Sequence, residues 1–252
     1  MKVSIITIVY NNANYIESCI KSVLSQTYPH IEHIIIDGGS NDGTQKIIEP
    51  YISALGYYIS EKDTGLYNAL NKGIKLATGD IIGILHSDDL FYEPTSVAQI
   101  VEAFKASKAD LLYANGIYVE RENSKKVKRI YKAKPFKKEY LNFGWIPLHT
   151  TIYVKKELFQ EYGLYDESYA IASDYEISLR WFHEEHIKNY FLDLWVVKMR
   201  LGGKSTTTKL QKKKSSEDLR IIKKYPLLGA LTLFFKIFRK IPQYAIPRIK
   251  GY

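Results

Sequence analysis

The first 90 residues alternate between short apolar runs and longer segments with helical periodicity. The apolar runs are rich in β-branched residues and predict buried strands, at residues 3–9, 33–36, 57–60 and 80–85. Between these runs, apolar residues recur three or four positions apart, which predicts helices that begin at Asn14 and cover 65–77. Strands that alternate with helices are typical of a parallel sheet with helices on both faces.

Residues 91–205 have a less regular pattern, which we expect to complete the same sheet and to build a wall over it. Helices are predicted at 96–104, 136–142, 156–162 and 173–185. Strands are predicted at 110–114, 116–119, 127–131, 150–154, 188–192 and 195–200. We therefore interpret the chain as one α/β domain over 1–205, with halves at 1–90 and 91–205, followed by a tail over 206–252.

The composition is that of a globular protein from a reducing compartment. With 252 residues the chain is long enough for a substantial core, and its single cysteine, Cys19, excludes an internal disulfide framework. The first residues enter a predicted strand directly, without the pattern of a signal peptide. No run approaches the ~20 apolar residues of a membrane-spanning helix. We therefore expect a cytoplasmic location.

The net charge of +9 is unevenly distributed along the chain. Residues 1–197 carry 21 Lys and Arg against 25 Asp and Glu, a net −4, whereas residues 198–252 carry 15 against 2, a net +13. In a nucleic-acid-binding protein the positive surface is usually the domain itself. An acidic body with a basic tail therefore predicts no nucleic-acid partner and indicates attachment of the body to something anionic.

The basic tail contains one amphipathic segment, residues 226–240. Its apolar residues share a helical face that basic residues flank, and they are Leu227, Leu231, Phe234, Phe235 and Phe238. Such a helix can lie in the headgroup plane of an anionic membrane, or it can dock on the body or on a second subunit. We favour the membrane, because uncompensated positive charge suits lipid better than a protein core. Whether the chain forms a homodimer stays open.

Acidic residues stand where strands of the first half are predicted to end, at Asp37, Asp63 and the adjacent Asp88 and Asp89. In open α/β sheets, ligands bind at the carboxyl edge of the strands. Adjacent carboxylates repel unless a cation or hydrogen-bond donors lie between them, and Mg²⁺ or Mn²⁺ takes carboxylate and phosphate oxygens. A turn or a helix cap also explains the pair taken alone. Several acids on one edge are better explained by a nucleoside diphosphate with its cation.

Asp174 is a further acidic candidate, at the start of a predicted helix. Ser173 and Glu176 match a capping box, and a negative charge in the first turn suits the helix dipole, which explains Asp174 without any function. A carboxylate held rigidly at a helix start can also accept a proton from an attacking hydroxyl. On these residues alone both interpretations stay open.

Four stretches of the chain, taken together, resemble the family 2 glycosyltransferases, which are inverting enzymes with the GT-A fold. The stretches are VSIITIVYNN (3–12), IIIDGGSNDGT (34–44), SEKDTGLYNALNKGIKLATGDIIGILHSDD (60–89) and IASDYEISLRW (171–181). The resemblance runs from residue 2 to about residue 203. It implies a Rossmann-like nucleotide-sugar-binding half over 1–90, an acceptor-side half over 91–205 and a mixed central sheet.

The resemblance also implies roles for single residues. Tyr10 and Asp37 match positions that hold the nucleobase, Asp63 lies in the stretch that borders the base and ribose, and Asp174 matches the catalytic base. Asp88 and Asp89 match the acidic metal motif, in which one contacts Mn²⁺ or Mg²⁺ and the other the ribose or sugar hydroxyls. The positions that match the helix lining the donor site are Asn68, Asn71, Lys72 and Gly73.

Two positions depart from the family pattern. His86 occupies the first acidic position of the DxD-type motif, where a neutral imidazole can ligate Mn²⁺, although a packed or hydrogen-bonded histidine is favoured. Ile177 stands where the QxxRW motif of processive members needs Gln, so we expect the transfer of one sugar per encounter. His149 matches a His-containing segment that either borders the acceptor or diphosphate or is structural, and Lys204 is expected near the diphosphate.

The resemblance implies transfer of one sugar from a UDP-sugar to an acceptor hydroxyl with inversion, with a divalent cation. Together with the basic tail, it predicts a lipid-linked saccharide as acceptor and peripheral attachment of 206–252 to the inner face of the cell membrane. A sugar-nucleotide nucleotidyltransferase is one alternative, but it would normally carry a Gly-rich loop with a basic residue where this chain has residues 10–13, Tyr-Asn-Asn-Ala. A non-catalytic peripheral membrane protein with a nucleotide fold is the other.

Overall fold

A computed structural model describes residues 1–202 and 208–250, and nine strands of these residues form one mixed sheet. The strands are β1 (Val3–Val9), β2 (Ile31–Asp37), β3 (Tyr57–Ser60), β4 (Ile81–Ile84), β5 (Leu90–Phe91), β6 (Leu111–Val119), β7 (Val127–Tyr131), β8 (Tyr153–Lys155) and β9 (Asn189–Arg200). Their order is β3-β2-β1-β4-β8-β6-β9-β5, and β7 pairs with β6.

Helices pack against this sheet, α3 on β1 and β2, and α4 on β6 and β9. The helices are α1 (Ala13–Leu24), α2 (Thr44–Ile48), α3 (Leu66–Leu76), α4 (Ser96–Ser107), α5 (Lys156–Tyr162), α6 (Ser173–His183), α7 (Thr208–Ile222), α8 (Ala230–Phe238) and α9 (Lys240–Lys250). Short 3₁₀ helices cover Glu49–Ala54, Lys138–Phe143 and His149–Thr151. α3 lies close to the sheet because Gly73 has no side chain: a Cβ there would lie 2.6 Å from Cγ2 of Ile6.

The first half is the parallel part of the sheet. β3, β2, β1 and β4 are parallel neighbours, and all seven residues of β1 are buried, which explains its uninterrupted apolar sequence. The register aligns Val9 with Asp37 and Asp37 with Ser60. The carboxyl ends of these strands therefore meet at one edge, as the alternating pattern predicts.

The second half makes the sheet mixed. β8 is antiparallel to β4 and β6, whereas β9 is parallel to β6. The predicted strand breaks near 115 and 193–194 are wrong, because each lies inside one long strand at an irregularity of the β6–β9 pairing. The Asn115 side chain makes hydrogen bonds at this irregularity. Its amide nitrogen donates to Oδ1 of Asp193 (2.8 Å), and its amide oxygen accepts the N–H of Ala133 (2.7 Å).

The C-terminal helices α7 and α8 pack on the body with one side and expose the other. Ile221 and Ile222 of α7 are fully buried, and so is Thr232 of α8. The opposite face of α8 is exposed, with Phe234 and Phe238 each 56% accessible. No helix of residues 1–202 and 208–250 has the length and apolar character needed to cross a membrane.

Candidate active site

Asp37, at the end of β2, is completely buried and holds the loop that follows it. One carboxylate oxygen accepts the backbone N–H of Ser40 (3.0 Å), and the hydroxyls of Ser40 and Ser60 also donate to the carboxylate. These bonds satisfy a buried charge with protein donors. Asp37 therefore fixes the shape of the loop at the carboxyl edge, and its contact with a nucleobase stays a prediction.

Tyr10, Gly38 and Asp63 form a second group, which we call the base pocket. A Cβ on Gly38 would lie 2.5 Å from Oδ2 of Asp63 and 3.4 Å from the Tyr10 ring, so both side chains lie against this glycine. Tyr10 is half exposed, and Asp63 accepts the N–H of Gly65 (3.0 Å). An accessible aromatic ring beside a carboxylate is suited to stack on a base and to accept from its N–H group.

The three polar residues predicted on α3 contact neighbouring loops. The buried amide of Asn71 donates to the carbonyl of Tyr165 (2.9 Å) and to Glu167 (2.9 Å), and its oxygen accepts the N–H of Tyr165 (3.0 Å). Asn68 also donates to Glu167 (3.0 Å), and Lys72 pairs with Glu61 (2.6 Å). These contacts hold the loops at 61 and 165–167, and direct contact with a nucleotide stays a prediction for all three.

Asp88 and Asp89, the acidic pair, have different environments. The Asp88 side chain is 18% exposed and pairs with Nη1 of Arg121 at 3.0 Å. Asp89 is only 1% exposed; its Oδ1 accepts the N–H of Arg200 at 3.1 Å, and its Oδ2 has no hydrogen-bond partner among the described residues. Burial, reinforced by the charge of Asp88, raises the pKa of Asp89 well above its usual value.

A divalent cation fits this chemistry. The unpartnered buried oxygen of Asp89 next to a second carboxylate is an arrangement that a hard cation stabilises. Within residues 1–202 and 208–250, no group of three or more His, Cys, Asp or Glu is placed to hold a metal ion. The chain would therefore supply the carboxylates of the acidic pair, and substrate phosphates or water would complete the coordination, as is usual for Mg²⁺.

Two arginines beside the acidic pair escaped the sequence analysis. The guanidinium carbons of Arg121 and Arg200 lie 4.3 Å and 5.1 Å from the centre of the Tyr15 ring, and Arg200 also donates to the carbonyl of Asp88. Two guanidinium groups at this position are suited to bind a diphosphate. The sequence gives no local signal for them, because they meet only through the pairing of β6 with β9, in which Val119 aligns with Arg200.

Asp174 contacts a pair of histidines, which we call the histidine bridge. Nε2 of His86 lies 2.8 Å from Nε2 of His149, and Nδ1 of His149 lies 3.6 Å from Oδ2 of Asp174. Burial lowers the pKa of His149 to about 4 and that of His86 as well, so both rings are neutral near pH 7. His86 thus uses one ring nitrogen to contact His149, which agrees with the favoured hydrogen-bonded interpretation of this residue.

The Asp174 carboxylate is ionised at neutral pH. Burial acts to raise its pKa, but nearby positive charges, first that of Lys214 and also that of Lys236, lower the pKa below the usual value. The side chain remains 22% exposed, and the Tyr67 hydroxyl lies 3.3 Å from its Oδ1. An ionised, partly accessible carboxylate can accept a proton from a substrate.

The predicted capping box at the start of α6 is wrong. Ser173 is the first helical residue and Ala172 the N-cap, with no side-chain cap, and the buried Ser173 hydroxyl has no partner among the described residues. Glu176 instead pairs with Arg180 four residues later. The capping-box pattern gave a wrong prediction because the two acidic residues of this turn contact other side chains: Asp174 contacts His149, and Glu176 contacts Arg180.

Contacts join these groups into one site. Ser40 donates to Asp37 and accepts the N–H of Asn11 (2.8 Å), while the amide of Asn12 donates to Ser87 (2.8 Å), the residue before the acidic pair. The histidine bridge begins two residues before that pair and ends at Asp174. Both ends of the predicted site are therefore linked to the acidic pair. Lys204, predicted near the diphosphate, lies outside the described residues.

Comparison with known sequences identifies similar proteins. The family model described as Glycosyl transferase family 2 matches residues 4–162. An uncharacterized glycosyltransferase of Rickettsia prowazekii is 34% identical over 224 residues, which are 86% of this chain and 70% of that protein. An uncharacterized glycosyltransferase of Mycobacterium tuberculosis is 36% identical over 180 residues, 71% of this chain and 68% of that protein.

Solved structures have the same fold at low sequence identity. TarS 1–349 of S. aureus, in complex with UDP-GlcNAc, superposes with a TM-score of 0.68 and 17% identity over 92% of this chain and 69% of that chain. A mannosyltransferase of Pyrobaculum calidifontis, in complex with GDP-Man and Mn²⁺, superposes with a TM-score of 0.66 and 17% identity over 97% of this chain and 73% of that chain. The expected GT-A fold is thereby confirmed.

Proposed function

Because the chain belongs to glycosyl transferase family 2, we propose that it transfers one sugar from a UDP-sugar to an acceptor hydroxyl with inversion. The observation that carries this proposal is the ionised Asp174, joined to the acidic pair by the histidine bridge. A proton acceptor and a diphosphate-binding group within one site are what such a transfer requires.

The donor is proposed to lie along the carboxyl edge of the first half. Tyr10 and Asp63 contact the base, with Asp37 behind them, and Arg121 and Arg200 neutralise the diphosphate. Asp88 and Asp89 would hold a divalent cation there, which would supply further positive charge for the departing nucleoside diphosphate. UDP is favoured because the structurally similar TarS binds UDP-GlcNAc, although the mannosyltransferase of similar fold binds GDP-Man with Mn²⁺.

Asp174 is proposed to act as the general base. Its carboxylate takes the proton of the acceptor hydroxyl as that oxygen attacks the anomeric carbon, opposite to the departing diphosphate. Attack from the opposite face inverts the anomeric centre, so an α-linked donor gives a β-linked product. The neutral His149 lies 3.6 Å from the carboxylate, close enough to help orient it.

The test is to replace Asp174 by Asn and to measure transfer and UDP binding separately. Nucleotide release is followed with UDP-glucose, UDP-galactose, UDP-N-acetylglucosamine or GDP-mannose, with Mn²⁺ and alkyl glycosides as acceptors. We expect transfer to fall about 10³-fold, within the range for loss of a general base, while UDP binding is retained. Asp80→Asn, at the opposite end of β4, is the control, and full transfer by Asp174→Asn would remove Asp174 from this role.

The acceptor is proposed to be a lipid-linked saccharide at the inner face of the cell membrane. The outward face of α8 exposes Leu231, Phe234 and Phe238, which are 49–56% accessible, and residues 198–252 carry the net charge of +13. The apolar side chains can enter the acyl region of a bilayer, and the basic side chains are attracted to anionic headgroups. Binding to vesicles of anionic phospholipid tests this attachment.

A further inference from the structure

We infer that Glu217 is a positioning residue for the catalytic base, an inference that rests on the proposed role of Asp174. Glu217 lies in α7, outside the residues that match the family, and it is 9% exposed. Its carboxylate accepts three consecutive backbone N–H groups, those of Ala170 (3.0 Å), Ile171 (2.9 Å) and Ala172 (3.0 Å). Hydrogen bonds to an ionised acceptor are among the stronger ones in proteins.

These three N–H groups belong to the chain that enters α6, two residues before Asp174. The helix start has no side-chain cap of its own, so its geometry depends on acceptors from elsewhere. The N–H of Ala172 is buried, and a buried backbone N–H left without an acceptor is destabilising. Glu217 thus accepts, from α7, the N–H of the N-cap residue Ala172, which is the bond that the glutamate of a capping box would make.

A second contact from the C-terminal helices fixes the other side of Asp174. Nζ of Lys236, in α8, lies 3.2 Å from the centre of the Tyr175 ring and 2.7 Å from Oδ1 of Asp218, the neighbour of Glu217. The pKa of Lys236 is lowered to about 8 by burial, which the ion pair with Asp218 opposes. The residues before and after Asp174 are therefore both held by the C-terminal helices.

The carboxylate of Asp174 itself is held loosely by comparison. Its contacts with the Tyr67 hydroxyl (3.3 Å) and with His149 (3.6 Å) are longer than ordinary hydrogen bonds of these types. Its position therefore depends on the backbone at the start of α6, where the Asp174 N–H donates to the Tyr67 hydroxyl (3.3 Å) and the three residues 170–172 are held by Glu217. A displacement of about 1 Å at a reacting group can lower a rate about 100-fold.

The experiment compares Glu217→Ala and Glu217→Gln with the parent chain in the transfer assay, at a temperature where all variants are folded. We expect Glu217→Ala to lower kcat about 100-fold while UDP binding is unchanged. Glu217→Gln, which keeps one acceptor oxygen, is expected to lie between the alanine variant and the parent. The control is Glu185→Ala, since Glu185 is an exposed glutamate paired only with Lys138 among the described residues.

A double variant distinguishes positioning from general damage to the fold. If Glu217 acts through Asp174, then Glu217→Ala has no further effect on the residual rate of Asp174→Asn. An additional loss in that background, a parallel loss of UDP binding, or a kcat of Glu217→Ala close to the parent value would each overturn the inference. Full transfer by Asp174→Asn would instead refute the proposed base and the positioning role together.

Discussion

The two halves of the site are held together in different ways. On the proposed donor side, Asp37 is the last residue of β2, the acidic pair lies in the loop after β4, and Asp37 is fixed by a serine only three residues away. On the acceptor side, Asp174 touches Tyr67, 107 residues earlier, and the start of its helix is held by Glu217. In the proposed roles, the base-binding end of the site depends on contacts within the first half, whereas the position of the catalytic base depends on long-range packing. Changes around Asp174 are therefore expected to abolish transfer and to spare nucleotide binding.

The largest effect expected on nucleotide binding comes from the donor side. Replacing Asp88 by Asn removes the more exposed carboxylate of the acidic pair, which we propose to help hold a cation at the diphosphate. We expect transfer to fall about 10²-fold or more and Mn²⁺-dependent UDP binding to fall with it, in contrast to Asp174→Asn. Nucleotide release and calorimetric titration with UDP measure the two effects. Unchanged Mn²⁺-dependent binding, judged against Asp80→Asn, would contradict the assignment.

A smaller effect is expected from the outward face of α8. Replacing Phe234 and Phe238 by Ser removes two rings that we propose to enter the bilayer, and each buried Phe contributes about 1.5–3 kcal/mol. Co-sedimentation with anionic vesicles should fall at least about tenfold, while UDP binding is unchanged. Ile52→Ser, an apolar residue of the first half that is 43% exposed, is the control. Equal co-sedimentation of the double variant and the parent would exclude this face as the membrane contact.

The smallest expected effect concerns stability and pH. Burial lowers the pKa of His33 in the first half to about 3 and that of His149 in the second half to about 4. In the unfolded chain the two imidazole rings bind a proton near pH 6.5, whereas in the folded chain they bind it only at lower pH. Stability is therefore fully present above pH ~6.5 and is lost as the pH falls toward the folded values, by about 1.4 kcal/mol per pH unit and histidine.

Urea unfolding at about pH 6 and pH 5 measures this dependence. His33→Gln should reduce the change in unfolding free energy between the two values, and the exposed His30→Gln should leave it as in the parent. A single transition that responds to both His33→Gln and His149→Gln would mean that the two halves unfold together. An undiminished pH dependence in His33→Gln would contradict the assigned cause.

Much of the first half could be predicted from the sequence because its signals are local. The bounds of β1 and β3 agree with the apolar runs, and Asp37 and the acidic pair lie at strand ends as expected. Chain entry into a strand, exit into a loop and helical periodicity are all encoded within a few residues. The mixed sheet of the second half came from the family resemblance, since its antiparallel pairings leave no comparable periodic signal.

What the sequence could not provide are contacts made between distant segments. Arg121 and Arg200 come together only because β6 and β9 pair, and Glu217 reaches α6 only because α7 folds back on the body. The wrong strand breaks have the same origin, since Asn115 looks like a strand end until its amide is seen to satisfy a bulge. Local sequence patterns predict secondary-structure elements well, but they do not predict which distant residues contact one another.

The two faces of α8 limit how this enzyme can be shortened or recombined. One face carries Lys236, which packs on Tyr175 beside Asp174, and the other carries the exposed Phe234 and Phe238. A chain ended after β9 would lose the contacts of Glu217 and Lys236 around Asp174 together with the surface that we propose to bind the membrane. Grafting the C-terminal helices of another glycosyltransferase onto this body would likewise replace the contacts around the proposed base, so these helices cannot be exchanged as membrane contacts alone.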